Sequence, residues 1–122
     1  MSDQKFNVRQ GEIYYADFPE TVGSVQKGIR PVVITQNNYL NRNSTTYVCA
    51  LVTSQLKRLD LPEHVLLPKL KGLPKRSMVM AEQRQTVDQK QLLNYRCKVS
   101  WLTFREIHRA IRHCESADKT CY

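Results

Sequence analysis

The stretch from Tyr47 to Thr53 (YVCALVT) is almost wholly apolar and rich in residues that favour strands. A run of this length between polar segments is typical of a β-strand that is buried on both faces of a sheet. Four other segments have β-type composition and are separated by turns rich in Gly, Pro, Asn and Lys. These further predicted strands are residues 11–18, 31–36, 63–67 and 77–83.

A longer helix is predicted after the strands. Ser100 is suited to be its N-cap, and the helix is expected to run to about Cys114. Apolar residues recur along it at spacings of three and four and form a stripe that can pack on a sheet: Trp101, Phe104, Ile107, Ile111 and Cys114. A short helix is also predicted from Asp88 to Leu93. We therefore expect a mainly β fold with helices (α+β), in which a small curled antiparallel sheet or barrel is covered by the C-terminal helix.

The 122 residues are expected to form a single domain (residues 1–122), because no repeat or long linker divides them. Residues 115–122 are predicted to be a flexible tail. No run of 18 apolar residues occurs, and the first residues lack the apolar core of a secretory signal. The expected location is the cytoplasm, with no membrane as a partner.

Basic and acidic residues are unevenly distributed. The chain has 19 Lys and Arg against 11 Asp and Glu, which gives a formal net charge of +8. No acidic residue occurs in residues 21–59 or in residues 64–81, whereas Lys and Arg are present in both. In a compact domain this favours a positive face whose natural partner is a polyanion such as nucleic acid. The alternative is a generally basic protein with dispersed charges.

The segment from Gly23 to Ile34 (GSVQKGIRPVVI) is a polar loop between glycines that leads into an apolar run. Pro31 disfavours a helical conformation for Arg30, so Arg30 is expected at the mouth of a strand in extended conformation. A guanidinium there can bind a phosphate with two parallel hydrogen bonds. The alternative is an ordinary surface arginine. The loop is not a nucleotide-binding P-loop, since Ile29 and Arg30 follow Gly28 where Lys and Ser or Thr are required.

Two strand ends carry further candidate residues. Thr53 and Ser54 end the most apolar strand, where a hydroxyl can donate to a bound oxyanion. Residues 82–85 (EQRQ) end another strand with a polar cluster suited to base edges or phosphate. A strand-closing threonine and a solvated strand end are the alternatives. The four cysteines lack the spacing of a metal site, so no metal is predicted.

Four motifs then occur in order along residues 9–114: GEIYYADF, GIRPVVI, LVTS and EQRQTVD. Together they resemble the MazF/PemK (Kid) family of toxin endoribonucleases from toxin–antitoxin modules. The resemblance implies an SH3-like barrel of the CcdB/Kid/MazF type with a C-terminal helix, which works as a homodimer without a cofactor. It also implies sequence-specific, metal-independent cleavage of single-stranded RNA, with 2′,3′-cyclic phosphate (or 3′-phosphate) and 5′-hydroxyl products. The expected protein partner is a cognate antitoxin, and operator DNA is expected to be bound only through the antitoxin complex.

The resemblance places the catalytic arginine at Arg30 and the catalytic threonine at Thr53. The residues expected to bind RNA are Ser24, Gln26, Lys27, Ser54, Lys57, Arg58, Glu82, Gln83 and Arg84. Glu82 is also a candidate proton acceptor. The chain departs from the family pattern at Val25, where family members often have Glu, and at Arg84, which lies one residue before the usual arginine. Because a shift of one residue turns a strand side chain to the other face, base preference is expected to change.

Two other functions remain open from the sequence. One is a CcdB-like toxin of the same fold, which binds DNA gyrase and has no enzymatic activity. The other is a basic nucleic-acid-binding barrel without activity. Arg30 together with Thr53 favours the ribonuclease.

Overall fold

The computed structural model describes residues 7–19 and 28–119. In this part of the chain six strands and two helices follow one another. The strands are β1 (Glu12–Phe18), β2 (Gly28–Ile34), β3 (Thr46–Thr53), β4 (His64–Leu66), β5 (Met78–Asp88) and β6 (Leu92–Lys98). The helices are α1 (Asn38–Arg42) and α2 (Trp101–Cys114).

The strands form one antiparallel sheet in the order β4-β5-β3-β2-β1-β6. The mainly β fold with a C-terminal helix is therefore confirmed. Among the described residues, the edge strands β4 and β6 are not paired with each other, so the sheet is not closed into a barrel. The segment between β4 and β5 instead reaches β6 through Gly72, whose carbonyl accepts a hydrogen bond from Arg96 Nε at 2.9 Å.

Strand β3 is buried on both faces, as its composition predicts. Cys49 and Leu51 belong to one apolar cluster, and the alternating residues Ala50 and Val52 belong to a second one. The second cluster also contains the inward residues of α2, so the helix covers this face of the sheet. We call the face of Ala50 and Val52 the helix face and that of Cys49 and Leu51 the inner face.

Helix α2 begins as predicted, with the Ser100 hydroxyl accepting a hydrogen bond from Thr103 N–H at 3.2 Å. Its buried residues are Phe104, Ile107, Ala110 and Ile111. The predicted stripe is wrong at both ends, because Trp101 is 69% exposed and Cys114 is also exposed. Each lies at a helix end, beyond the surface of the sheet that α2 covers. Across the described residues, no helix is long and apolar enough to cross a membrane.

The region after β5 differs from the prediction. In place of a helix over Asp88 to Leu93, a single 3-10 turn (Gln89–Gln91) leads directly into β6. Most of the β6 side chains are exposed or half-buried, so its sequence lacks the alternation by which strands are recognised. The sixth strand is identified by its pairing with β1 and not by its pattern.

Strand β5 is interrupted by a bulge. Its partner residues on β3 are consecutive, with Ala50 opposite Arg84 and Leu51 opposite Met80. Residues 81–83 are therefore extra on the β5 side, and they change which face the following side chains occupy. The bulge lies beside the end of β4, where Ala81 N–H donates to the Glu63 carbonyl at 2.9 Å.

Candidate active site

Arg30 lies near the start of β2, opposite Ala16 of β1. The strand begins at Gly28, whose φ of +87° is a conformation that favours glycine. Arg30 is exposed, whereas Val32 two residues further on is fully buried. The predicted position at a strand mouth is thus what the structure has.

Thr53 is the last residue of β3, the neighbour of β2 in the sheet. The two strands pair with Val32 opposite Leu51 and Val33 opposite Ala50. Continuing this antiparallel register by two residues places Arg30 beside Thr53. Because strand side chains alternate, both share the inner face with Val32 and Leu51.

The hydroxyl of Thr53 is oriented by the loop that follows it. Its Oγ1 accepts a hydrogen bond from the backbone N–H of Gln55 at 3.1 Å. This bond uses a lone pair of the hydroxyl and not its hydrogen. Thr53 can therefore still donate to an oxyanion bound next to Arg30.

Arg30 and Thr53 form the boundary between two pockets, and Val52 and Gln55 also belong to both. The Tyr15 pocket has a volume of about 310 Å³ and is further lined by Tyr15, Ile29, Pro31, Ser54, Leu73, Pro74, Lys75 and Ser77. The Lys57 pocket has a volume of about 180 Å³ and is further lined by Leu51, Lys57, Met80 and Gln83. A chain that crosses the boundary can place one unit in each pocket and a linking group against Arg30 and Thr53.

All described charged residues that line the two pockets are positive. Lys75 lies in the Tyr15 pocket, Lys57 lies in the other, and Arg30 lies between them. Among the described residues that line the two pockets, none is Asp or Glu. The site is therefore suited to a linear polyanion whose phosphates follow the three cations.

His64 holds the loop between β3 and β4, which carries Gln55 and Lys57. Its Nδ1 lies 3.0 Å from the carbonyl oxygen of Arg58 and 3.2 Å from that of Lys57, and its Nε2 lies 3.1 Å from Glu82 Oε2. Since all these partners accept hydrogen bonds, the imidazolium, which donates from both nitrogens, matches them. Burial, the largest single effect, lowers the pKa of His64, but Glu82 and the two carbonyls together raise it above its usual value.

Three of the residues predicted to bind RNA lie in these linings. Ser54 lines the Tyr15 pocket, and Lys57 and Gln83 line the Lys57 pocket. Gln83 is one of the bulge residues of β5, and it reaches the pocket from that position. Their contact with RNA remains a proposal.

Arg84 is not brought together with Arg30 and Thr53. It lies opposite Ala50, so its side chain is on the helix face, where it forms an ion pair with Glu115 at the end of α2. The next residue, Gln85, lies opposite Cys49 and therefore on the inner face. Arg84, the displaced arginine of the motif, thus points away from the pockets. Gln85 lies on the inner face, at the position where the family usually has the arginine.

Glu82 and Arg58 also lie outside both linings. Glu82 is bonded to His64, and Arg58 forms an exposed ion pair with Asp60. Arg58 has a φ of 47°, in the left-handed region that is unusual for residues other than glycine. The predicted RNA-binding residues Ser24, Gln26 and Lys27 and the departure at Val25 lie outside the described residues.

Sequence reasoning missed one wall of the Tyr15 pocket. Tyr15 belongs to the strand motif GEIYYADF, and Lys75 belongs to a stretch without acidic residues. Nothing in the sequence indicates that either residue lies close to Arg30. Leu73 and Pro74 complete this wall. The segment after β4 packs on the helix face and is bonded to β6, the neighbour of β1, and composition contains no sign of these long-range contacts.

Comparison with known proteins shows the family of this chain. Residues 9–114 match the family model described as the PemK-like, MazF-like toxin of type II toxin–antitoxin systems. The endoribonuclease EndoA of Bacillus subtilis is 40% identical over 86 residues, which are 70% of this chain and 74% of that protein. The endoribonuclease MazF of Staphylococcus saprophyticus is 37% identical over 105 residues, which are 85% of this chain and 88% of that protein.

A solved structure has the same fold at lower identity. It is a mycobacterial endoribonuclease in complex with its cognate antitoxin, and it superposes with a TM-score of 0.72 at 23% identity, covering 88% of this chain and 93% of the other. The family match spans the pocket-lining strands as well as α2. The chain therefore belongs to the PemK-like, MazF-like family of toxins of type II toxin–antitoxin systems.

Proposed function

We propose that this toxin is an endoribonuclease that cleaves single-stranded RNA at a specific sequence without a metal ion. Its relatives in Bacillus subtilis and Staphylococcus saprophyticus are endoribonucleases. The observation that carries the proposal is the pairing of Arg30 with Thr53 at a boundary between two pockets free of carboxylates. An RNA strand can lie across the boundary with its scissile phosphate at these two side chains.

Cleavage begins with attack of the ribose 2′-oxygen on the adjacent phosphorus, and the proton of the 2′-hydroxyl passes to water. The new bond closes a 2′,3′-cyclic phosphate while the bond to the 5′-oxygen breaks, and that oxygen takes up a proton from water and leaves as a 5′-hydroxyl. Water can then open the ring to a 3′-phosphate. The pentacoordinate transition state carries extra negative charge, which Arg30 and Thr53 would stabilise. Because a guanidinium keeps its proton near neutral pH, Arg30 acts as a donor and not as the base.

The RNA contacts follow from the linings. Lys57 and Lys75 bind phosphates on either side of the scissile group, and Ser54 and Gln83 supply hydrogen bonds that can read bases. The wider set predicted from the family adds Ser24, Gln26, Lys27, Arg58, Glu82 and Arg84. Of these, Glu82 and Arg84 would act indirectly, since their side chains bind His64 and Glu115.

The assembly proposed for the toxin is that of its family. It is a cytoplasmic homodimer of subunits with an SH3-like curled sheet, inhibited by a cognate antitoxin through which it contacts operator DNA. A structural relative is an endoribonuclease in complex with its antitoxin, which supports the antitoxin as partner.

The proposal is tested by digestion of a long RNA in EDTA, followed by mapping of both fragment ends. Wild-type protein is expected to cut at one short sequence, and a deoxyribose at the scissile position is expected to abolish the cut. Arg30→Ala is expected to lower the cleavage rate by about 10²–10³-fold, as for the loss of one oxyanion donor.

The matched control is Arg105→Ala, which removes an exposed arginine of α2 outside both pockets. It is expected to cleave like the wild type. Full activity of Arg30→Ala, or activity only with added metal, would contradict the proposal. Intact RNA together with a stable gyrase complex would indicate the gyrase-binding alternative, and salt-sensitive RNA binding without products would indicate the inactive barrel.

A further inference from the structure

Arg96 contacts Tyr15, which lines the Tyr15 pocket, and Gly72, the residue just before the lining residues Leu73, Pro74 and Lys75, although Arg96 does not line the pocket itself. Its guanidinium lies over the ring of Tyr15, with Cζ 5.1 Å from the ring centroid. Its Nε donates to the carbonyl oxygen of Gly72 at 2.9 Å. Tyr15 belongs to β1, whereas Gly72 belongs to the segment between β4 and β5, so one side chain connects the two.

The Gly72 contact is tight. A Cβ atom at this position would lie 2.1 Å from the carbonyl oxygen of Arg96 and 3.0 Å from Cβ of Cys97. A separation of 2.1 Å is far inside van der Waals contact, so no other residue fits here unless the segment moves away from β6. The backbone at Gly72 is therefore held against β6 at a fixed distance.

The residues that follow Gly72 form the pocket wall. Leu73 is 6% exposed and belongs to the apolar cluster of the helix face, and its N–H donates to the Leu70 carbonyl at 3.1 Å. Pro74 and Lys75 come next and line the pocket together with Tyr15. A displacement of Gly72 is consequently transmitted to these residues over one to three peptide units.

We propose that Arg96 is a specificity-determining positioning residue, which fixes the distance between Tyr15 and the wall formed by Leu73, Pro74 and Lys75. This inference rests on the proposed function and adds to it that the Tyr15 pocket takes a nucleobase next to the scissile phosphate. The aromatic ring and the proline give the pocket flat apolar surfaces that suit a base. The fixed width decides which base is accepted, while Arg30 and Thr53 do the chemistry.

The proposed role requires both contacts of Arg96, the one with Tyr15 and the one with Gly72. The cation over the aromatic face stabilises the orientation of Tyr15, and the Nε–H holds Gly72. A lysine at this position retains a cation that can lie over the ring but has no fixed donor for the carbonyl. Arg96→Leu removes both contacts, and Gly72→Ala moves the wall while it leaves the arginine in place.

The test compares cleavage of a preferred RNA with cleavage of RNAs that differ from it by one base. For Arg96→Leu, the ratio of kcat/KM between preferred and mismatched RNA is expected to fall by about tenfold or more, because displacements of an ångström at a site have effects of this size. The change is expected mainly in KM, with kcat on the preferred RNA within about threefold of the wild type, since the boundary residues stay in place. Arg96→Lys is expected to recover part of the ratio, and Gly72→Ala is expected to lower it like Arg96→Leu.

The control is Lys98→Leu, which removes one exposed positive charge from the same strand. It is expected to keep the wild-type ratio. If Arg96→Leu keeps the ratio and only lowers the cleavage of all RNAs equally, Arg96 is merely structural and the inference is overturned. If wild-type protein cleaves no RNA, the proposed function itself fails, and the specificity role fails with it.

Discussion

The Thr53 hydroxyl combines a fixed orientation with an available hydrogen. Gln55 N–H holds its oxygen at 3.1 Å, so the remaining O–H can turn toward a substrate oxygen beside Arg30. The residue is half-buried at the end of β3. The residue therefore has the features of a preorganised donor. Such a donor stabilises developing negative charge without having to rearrange during the reaction.

This role predicts a difference between two substitutions. Thr53→Val keeps the shape of the side chain and removes the hydroxyl, so kcat is expected to fall by about 10²–10³-fold. Thr53→Ser keeps the hydroxyl, and kcat is expected to stay within about tenfold of the wild type because the donor remains. Single-turnover cleavage of a short RNA measures both, and a Val variant as active as the Ser variant would contradict the assignment.

Two thiols are expected to differ sharply in reactivity. Cys49 is fully buried in β3, and burial raises its pKa to about 12, whereas Cys114 at the end of α2 is exposed. In a Cys121→Ser background, a chromogenic disulfide reagent is expected to label Cys114 in the folded protein, and Cys49 only after unfolding. Replacing Cys49 by Ala should leave the number of thiols labelled in the folded protein unchanged and lower the number labelled in the unfolded protein by one. Loss of native signal in that variant would show the expectation to be wrong.

At the scale of elements, the loop between β3 and β4 depends on His64. The side chain of this residue is 5% exposed, and its two nitrogens face only hydrogen-bond acceptors, from Glu82 and from the loop backbone. The arrangement connects the loop that carries Gln55 and Lys57 to the bulge of β5. Asp60 adds to the negative surroundings: the hydrogen bond from Arg58 is the main cause that lowers the pKa of this carboxyl group, and the charge of His64 lowers it further.

The raised pKa of His64 makes this connection sensitive to pH. A raised value in the folded state contributes stability that is complete below the unfolded pKa of about 6.5 and is lost as pH rises through the folded value. His64→Gln is therefore expected to lower the free energy of unfolding by about 1–2 kcal/mol near pH 5.5, and by less near pH 8.5. Urea unfolding of both proteins at several pH values measures the difference. A difference that is the same at all pH values would show that His64 is neutral throughout.

The elements differ in how far the sequence determines them. The strand at 47–53 follows from its apolar composition, and the helix after Ser100 follows from the periodic spacing of the residues that it buries. Strand β6 has three consecutive exposed residues, so only its partner β1 makes it a strand. The bulge in β5 arises from contacts between three strands, and no local pattern signals it.

The residues of the candidate site also differ in how far the sequence determines them. Arg30 and Thr53 are each marked by a local motif, and the register of β2 and β3 places them side by side. Tyr15 and Lys75 come from segments that are far apart in the chain and meet at the pocket. Predicting their proximity would require knowing that the segment after β4 is bonded to β6, the neighbour of β1.

At the scale of the whole molecule, the formal charge of +8 is expected to govern RNA affinity. Binding of single strands releases about 0.7 counterions per phosphate contact, so the logarithm of the association constant falls linearly with the logarithm of the salt concentration. Lys57→Gln is expected to weaken binding and to reduce that slope by about 0.7, because one phosphate contact is lost. Anisotropy titrations with a 2′-O-methyl RNA, which is not cleaved, measure the slope.

The control for this prediction is Lys90→Gln, at an exposed position in the 3-10 turn outside both pockets. It is expected to leave the slope nearly unchanged, because Lys90 is not part of the linings. If the two substitutions reduce the slope equally, RNA binding depends only on the net charge of the protein and not on the residues that line the pockets.

The contact between Gly72 and Arg96 joins positions 24 residues apart, across the open side of the sheet. A chain leaves the ribosome from its N-terminus at about 5–20 residues per second, so Arg30, Thr53 and the wall after Gly72 all emerge before β6. Until β6 pairs with β1, Arg96 holds neither Tyr15 nor Gly72. A growing chain thus contains Arg30 and Thr53 before the wall of the Tyr15 pocket is held in place. The base selection that we propose for this pocket would therefore be acquired after the two proposed catalytic residues are already present.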